Sequence, residues 1–119
     1  MAHQAQQTDH SVGLLRDTVV GLVRGENPDL SSRQLGVFLT CYLTDENQTV
    51  RGLAAALNVS KPAITRAIDR LTEFGLAKRK VDPLDRRSVL VQRTPTGNRF
   101  LRDIRMIMSK ATNKVPSAD

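Results

Sequence analysis

Val12, Leu15, Val19 and Leu22 recur at steps of three and four, and Val23 widens the stripe, which predicts an amphipathic helix ending near Gly25. Leu35, Phe38, Leu39, Tyr42 and Leu43 repeat the pattern. Ser31 stands as N-cap with Gln34 three residues on, and Leu30 and Leu35 are spaced as a hydrophobic staple. Thr49 caps a third, short helix, VRGLAAAL, which turns Leu53, Ala54 and Leu57 inward. The small Ala54, Ala55 and Ala56 let a neighbouring helix come close. Asn58-Val59 breaks that helix, and Asn tolerates the left-handed backbone a break requires. SKPAITRAIDRLTEFG then gathers Ile64, Ala67, Ile68, Leu71 and Phe74 on one face and Lys61, Thr65, Arg66, Asp69 and Arg70 on the other. Ser60 serves as its N-cap, Pro62 falls in the first turn where a missing N–H costs little, and Gly75 suits the position past its end. Leu76–Val81 and Ser88–Arg93 predict two strands around a turn-rich Asp82–Arg87. Thr94-Pro95 starts a last helix, with Phe100, Leu101, Ile104, Ile107, Met108 and Ala111 on its apolar side.

The charge changes this picture by its placement. The chain has 119 residues and a formal net charge of +6. Residues 49–93 carry ten Lys and Arg against four Asp and Glu, leaving eight of each elsewhere. All the excess positive charge therefore lies in the third and fourth helices and the two strands, a footprint for a polyanion. A competing reading of the strand pair is a solvated hairpin whose Asp and Arg merely pair with each other. Cys41, the one cysteine, has apolar neighbours and no flanking His, Lys or Arg, which suits a buried thiol better than a redox sensor. His3 and His10 fall in a polar N-terminal stretch and read as solvated side chains, not metal ligands. No nucleophile stands near a base and no carboxylates cluster, so neither an enzyme nor a cofactor is expected. No apolar run suits a membrane span and MAHQAQQTDHS lacks the core of a signal peptide, so a cytoplasmic location is the default.

The expected fold is mainly α with a small β-hairpin wing, a winged helix-turn-helix. Residues 1–11 read as an unstructured tail, 12–112 as one winged-helix domain with terminal helices for packing or dimerisation, and 113–119 as a second tail. A helix such as 60–74 fits the major groove, and a basic hairpin tip at 82–88 fits the narrow minor groove beside it.

LSSRQLGVFLTCYL, TVRGLAAALNVSKPAITRAIDRLTEFGLAKRK and DPLDRRSVLVQRTPTGNRFL together resemble the MarR family of winged-helix transcriptional regulators, with the motifs in register over about residues 30–101. The resemblance implies a homodimer that reads a pseudo-palindromic site in double-stranded DNA, as a transcriptional regulator and by occlusion a repressor. Ser60, Lys61, Pro62, Thr65 and Arg66 would then meet bases or nearby phosphates. Thr49, Arg70 and Lys78 would hold the backbone. Arg86 and Arg87 would serve the wing, with Asp85 orienting the arginine that enters the minor groove. Few residues follow Pro95, so the interface between protomers is expected to be reduced, drawing on Val12, Leu15, Val19 and Leu22 and on Leu101, Ile104 and Met108. Many members take aromatic effectors; four aromatic residues offer little for stacking one, and that function is not carried over. Two alternatives stay open: a winged-helix protein-interaction module, and a replication, phage or plasmid-control DNA-binding factor.

Overall fold

The structure, a computed structural model, describes residues 2–114, with side chains for 8–113. In chain order the elements are α1 (Ala2–Arg24), α2 (Ser32–Leu43), β1 (Gln48–Thr49), α3 (Val50–Leu57), α4 (Lys61–Glu73), β2 (Lys78–Asp82), β3 (Asp85–Gln92) and α5 (Pro95–Lys114). The winged helix-turn-helix expected from the sequence is the fold observed, five helices with a small antiparallel sheet.

Local rules set most of the helix ends. Ser31 and Gln34 form the complete capping box: the Ser31 hydroxyl accepts the Gln34 N–H at 3.1 Å and the Gln34 side chain accepts the Ser31 N–H at 2.9 Å. Thr49 accepts the Gly52 N–H and Ser60 accepts the Ala63 N–H. α3 stops at Asn58, which adopts φ 55° and ψ 48°, and the Val59 N–H reaches back to the Ala54 carbonyl at 3.1 Å. α4 stops the same way one step later in the motif. Gly75 takes φ 73°, its N–H bonds the Thr72 carbonyl at 2.9 Å, and the Leu76 N–H bonds the Leu71 carbonyl at 2.8 Å.

The sheet departs from the expected two-stranded hairpin in three ways. Thr49, expected as a helix cap, also forms with Gln48 a third strand against β3, giving the order β1-β3-β2. An N-cap residue is already extended, so Thr49 adds to a sheet edge without changing its capping role. β2 starts at Lys78 rather than Leu76, because Leu76 and Ala77 are buried in the core beyond the α4 stop. β3 starts at Asp85 rather than Ser88, so only Pro83 and Leu84 remain between the strands. Most of the expected wing loop is therefore strand.

The chain forms two compact units, Leu30–Phe100 and the segments on either side of it. The first has a core of Val37, Phe38, Cys41 and Tyr42 from α2, Leu53 from α3, Ile64, Ala67, Ile68 and Leu71 from α4, and Val91 and Phe100. Phe38 stacks on Tyr42 with centroids 4.3 Å apart and meets Phe100 edge-on at 5.0 Å. Leu43, Ala55 and Ala56, expected on packing faces, are exposed. Within the second unit α1 runs from Ala2, well before the expected start at Val12. No Pro or Gly interrupts AHQAQQTDHS, and Ala and Gln favour helix, so nothing local ends the helix there. Gly21 lies so close to Ile107 that an added Cβ would come within 2.5 Å of its side chain. α5 continues through Lys114, so the expected C-terminal tail begins inside a helix and lies outside the described residues from 115 on.

One hydroxyl ties both ends of the β2–β3 hairpin to α2. Tyr42 donates to the Leu76 carbonyl at 2.7 Å and accepts the Thr94 N–H at 3.0 Å. Thr94 donates to the Gly75 carbonyl at 2.6 Å and caps α5 by accepting the Gly97 N–H at 2.9 Å. Gly97 leaves room for this junction: a Cβ there would fall 1.6 Å from the Tyr42 hydroxyl and 2.7 Å from the Leu76 carbonyl. Tyr42→Phe should cost about 1–3 kcal/mol, the loss of a buried donor and acceptor. Gly97→Ala should cost more, because a backbone carbonyl must also move. Urea unfolding of both variants against the parent checks the order.

Candidate nucleic-acid interface

α4 buries Ile64, Ala67, Ile68 and Leu71 and leaves Lys61, Pro62, Thr65, Arg66, Asp69 and Arg70 exposed. The hydrophilic flank of the helix is thus open rather than plugged by core side chains. Ser60 uses its hydroxyl to cap the helix.

Beside this flank lies a cleft of about 540 Å³, lined by Thr49, Val50 and Arg51 from the start of α3, Lys61 and Thr65 from α4, and Asp85, Arg87, Ser88 and Val89 from β3. Five residues singled out in the sequence meet here: Thr49, Lys61, Thr65, Asp85 and Arg87. Ser60, Pro62, Arg66, Arg70, Lys78 and Arg86 do not line it. Arg51, which the sequence reading passed over, does. It stands exposed in the first turn after the Thr49 cap.

The two wing arginines differ in their place: Arg87 lines the cleft and Arg86 does not. Residues two apart share a face. Val89 therefore shares a face of β3 with the buried Val91, but the register shift beside Asp82 leaves Arg86, Arg87 and Ser88 between the paired Asp85 and Val89 and interrupts the alternation there. The register carries this face across to β2, where Arg79 pairs with Val91 and Val81 with Val89. Arg79 accordingly reaches α4: its guanidinium donates to the Thr65 carbonyl at 3.3 Å and to the Asp69 carboxylate. Arg79 is a second residue missed in the sequence, visible only once the register is known. Lys78 and Lys80 pair with Gln92 and Leu90, on the face of β2 opposite Arg79.

The carboxylates of this region are occupied locally. Asp69 holds Arg79, and Glu73 holds Arg70 at 2.8 Å, with the Arg70 guanidinium also 4.5 Å above the Phe74 ring. Asp82 accepts the Leu84 N–H at 2.9 Å and Asp85 accepts the Arg87 N–H at 3.1 Å, so both brace the hairpin backbone. Among the described residues no Asp–Arg ion pair forms at the hairpin tip, which removes the reading of a self-neutralised hairpin. Arg70, expected to hold a phosphate, is turned toward its own helix end. Arg93 bonds the Cys41 carbonyl at 3.1 Å and the Thr44 carbonyl, neutralising the end of α2.

The sequence profile of the MarR family matches residues 28–88, just over half the chain. The chain belongs to the MarR family. Its winged-helix fold agrees with that membership. Among solved structures, RV1404 from Mycobacterium tuberculosis superposes on this MarR-family chain with TM-score 0.77 at 19% identity, covering 96% of this chain and 76% of that one. MepR from S. aureus, solved as a DNA complex, gives TM-score 0.65 at 17% identity over 92% of this chain and 81% of that one. CouR from Rhodococcus jostii RHA1, solved with p-coumaroyl-CoA, gives TM-score 0.65 at 26% identity over 92% and 77%. The chain spans 60% of the length of the Thermotoga maritima regulator Tm0710, which it matches at 22% identity over 72% of its own length with TM-score 0.66. Among curated proteins, none matches significantly in sequence.

Among the described residues no group of three or more His, Cys, Asp or Glu is arranged to hold a metal ion, and no helix is long and apolar enough to cross a membrane. Cys41 is buried, and burial pushes its thiol up to about 11, with Arg93 pulling weakly the other way. At pH 8 only about one molecule in a thousand would carry the reactive thiolate. A maleimide or iodoacetamide should therefore modify folded protein far more slowly than urea-unfolded protein at that pH, a difference read by mass spectrometry.

Proposed function

We propose that this regulator reads duplex DNA as a homodimer, with residues 60–74 in the major groove and the 82–88 wing in the minor groove, and that it represses transcription by occluding its site. The observation that carries the reading is the cleft where the starts of α3 and α4 meet β3: its cations converge on one side of the Leu30–Phe100 unit, next to the open flank of α4. The DNA complex of MepR, of the same architecture, supports it. In this reading Thr65 and Arg66 meet base edges, and Ser60, Lys61 and Thr49 meet phosphates. Arg70 contributes less than its sequence position suggests, because Glu73 and Phe74 already hold it. The proposal includes no aromatic effector: Phe38, Tyr42 and Phe100 pack on one another and Phe74 lies under Arg70.

The surface for a second protomer is narrower than the sequence stripes. Leu101 and Ile104 are 7% and 6% exposed, so little of either side chain is open to a second protomer. Val12 and Leu15 are 57% and 63% exposed, and Val19 and Met108 are also open, with Leu22 half-buried. These remain the interface residues of the proposal.

Selection from random duplexes by gel shift, at two salt concentrations, tests the reading. A two-fold symmetric selected site and weaker binding at higher salt are expected; salt-independent or absent binding would favour a protein-interaction module. Arg66→Ala should cost about 1–3 kcal/mol and relax preference at one base position. An equal loss on every duplex would make Arg66 a phosphate contact instead. For the dimer, Leu15→Asp should give a folded monomer in sedimentation, whereas Ile104→Asp should lose cooperative unfolding.

A further inference from the structure

The tip of the hairpin holds an apolar side chain that the fold does not use. Leu84 is 96% exposed, more than any other large hydrophobic residue among the described ones. Pro83, the other residue between the strands, is exposed too, and Val81 behind it is 55% exposed. A lone exposed leucine on a broad surface is ordinary. This one sits at the end of a hairpin and is held there. Its N–H bonds the Asp82 carboxylate at 2.9 Å, and Pro83 fixes the backbone before it, so the turn is braced rather than loose. Asp85 is likewise drawn onto the Arg87 N–H, at 3.1 Å. Lys80, Arg86 and Arg87 stand exposed beside the tip, and none of them forms an ion pair among the described residues. The hairpin therefore ends in an apolar point backed by unpaired cations.

An apolar point alone would suit a pocket on a protein, but the cations behind it favour a polyanion. In a minor groove, a side chain such as Leu can press between base pairs, part their stack and kink the duplex toward the major groove. We propose that Leu84 enters the minor groove ahead of the wing cations and wedges into one base step, partly unstacking it. The proposal rests on the DNA-binding reading above. It makes Leu84 a specificity-determining residue that forms no hydrogen bond to a base. Selectivity comes from the ease with which a step opens, greatest at pyrimidine–purine steps such as TA and CA/TG. A homodimer would carry two such wedges, at steps related by the two-fold axis.

The test uses the full chain and the selected duplex, with 2-aminopurine replacing each adenine of the flanks in turn; its fluorescence rises when a neighbouring base no longer stacks on it. The parent should raise the fluorescence at one pyrimidine–purine step in each flank. Leu84→Ala should abolish that rise and weaken binding about tenfold through the apolar burial it forgoes. Its salt slope should match the parent's, since no charge is removed. Leu84→Met should keep the rise. Leu84→Lys should also weaken binding, although it adds a cation. Leu84 is almost wholly exposed, so none of these changes removes a core contact, and circular dichroism checks the fold. No rise with the parent bound, or a rise that survives Leu84→Ala, overturns the wedge and leaves the DNA reading standing. Leu84→Lys binding as tightly as the parent does the same, because the tip would then act by charge alone. Absence of DNA binding by the parent overturns the DNA reading and the wedge together.

Discussion

The Tyr42 hydroxyl is the point on which the rest of the Leu30–Phe100 unit depends. The hairpin leaves the core at Leu76 and returns to it at Thr94, and this one group bonds both residues. Its ring is fixed in turn by stacking on Phe38, and its oxygen needs the space that Gly97 leaves empty. A hairpin is marginal alone in water. Here its base is clamped to α2, its edge is extended by β1, and Arg79 ties its middle to α4. The direction of the wing relative to α4 therefore follows from packing and hydrogen bonds remote from its tip.

Electrostatics then acts on a surface whose geometry is already decided. The region is basic, but its net charge understates how its cations are divided. Arg70, Arg79 and Arg93 hold parts of their own chain: a helix end, the wing strand and the end of α2. Arg51, Lys61 and Arg87 face the open cleft. Asp69 and Glu73 each hold a cation of their own region, while Asp82 and Asp85 accept backbone N–H groups and brace the hairpin. Counting charges along a chain cannot separate cations that build the fold from cations available to a ligand.

How much was legible follows from the range of each interaction. The caps at Ser31, Thr49, Ser60 and Thr94, and the left-handed stops at Asn58 and Gly75, involve groups within a few residues of each other, and all appear as the sequence implies. The inward face of α4 was equally plain, because a helix repeats its own period. Strand limits were less so. Leu76 and Ala77 look like strand by composition, yet the α4 stop turns them into the core. β1 has two residues and no pattern of its own; only pairing with Val91 and Leu90 makes it a strand. Leu101 and Ile104 look the same as Val12 and Leu15 in sequence, and burial alone tells core from surface.

By itself, then, the chain's order of residues determined the helices, their ends, the presence of a basic hairpin and the family, since these rest on local periodicity, capping and contiguous motifs. Tertiary structure decided which arginine of the Arg86–Arg87 pair faces α4, that Arg51 joins them, and that Arg70 and Arg79 are taken up internally. The reason is physical. Which strand residues meet α4 depends on a register, and on its shift beside Asp82, set by partners far away in sequence.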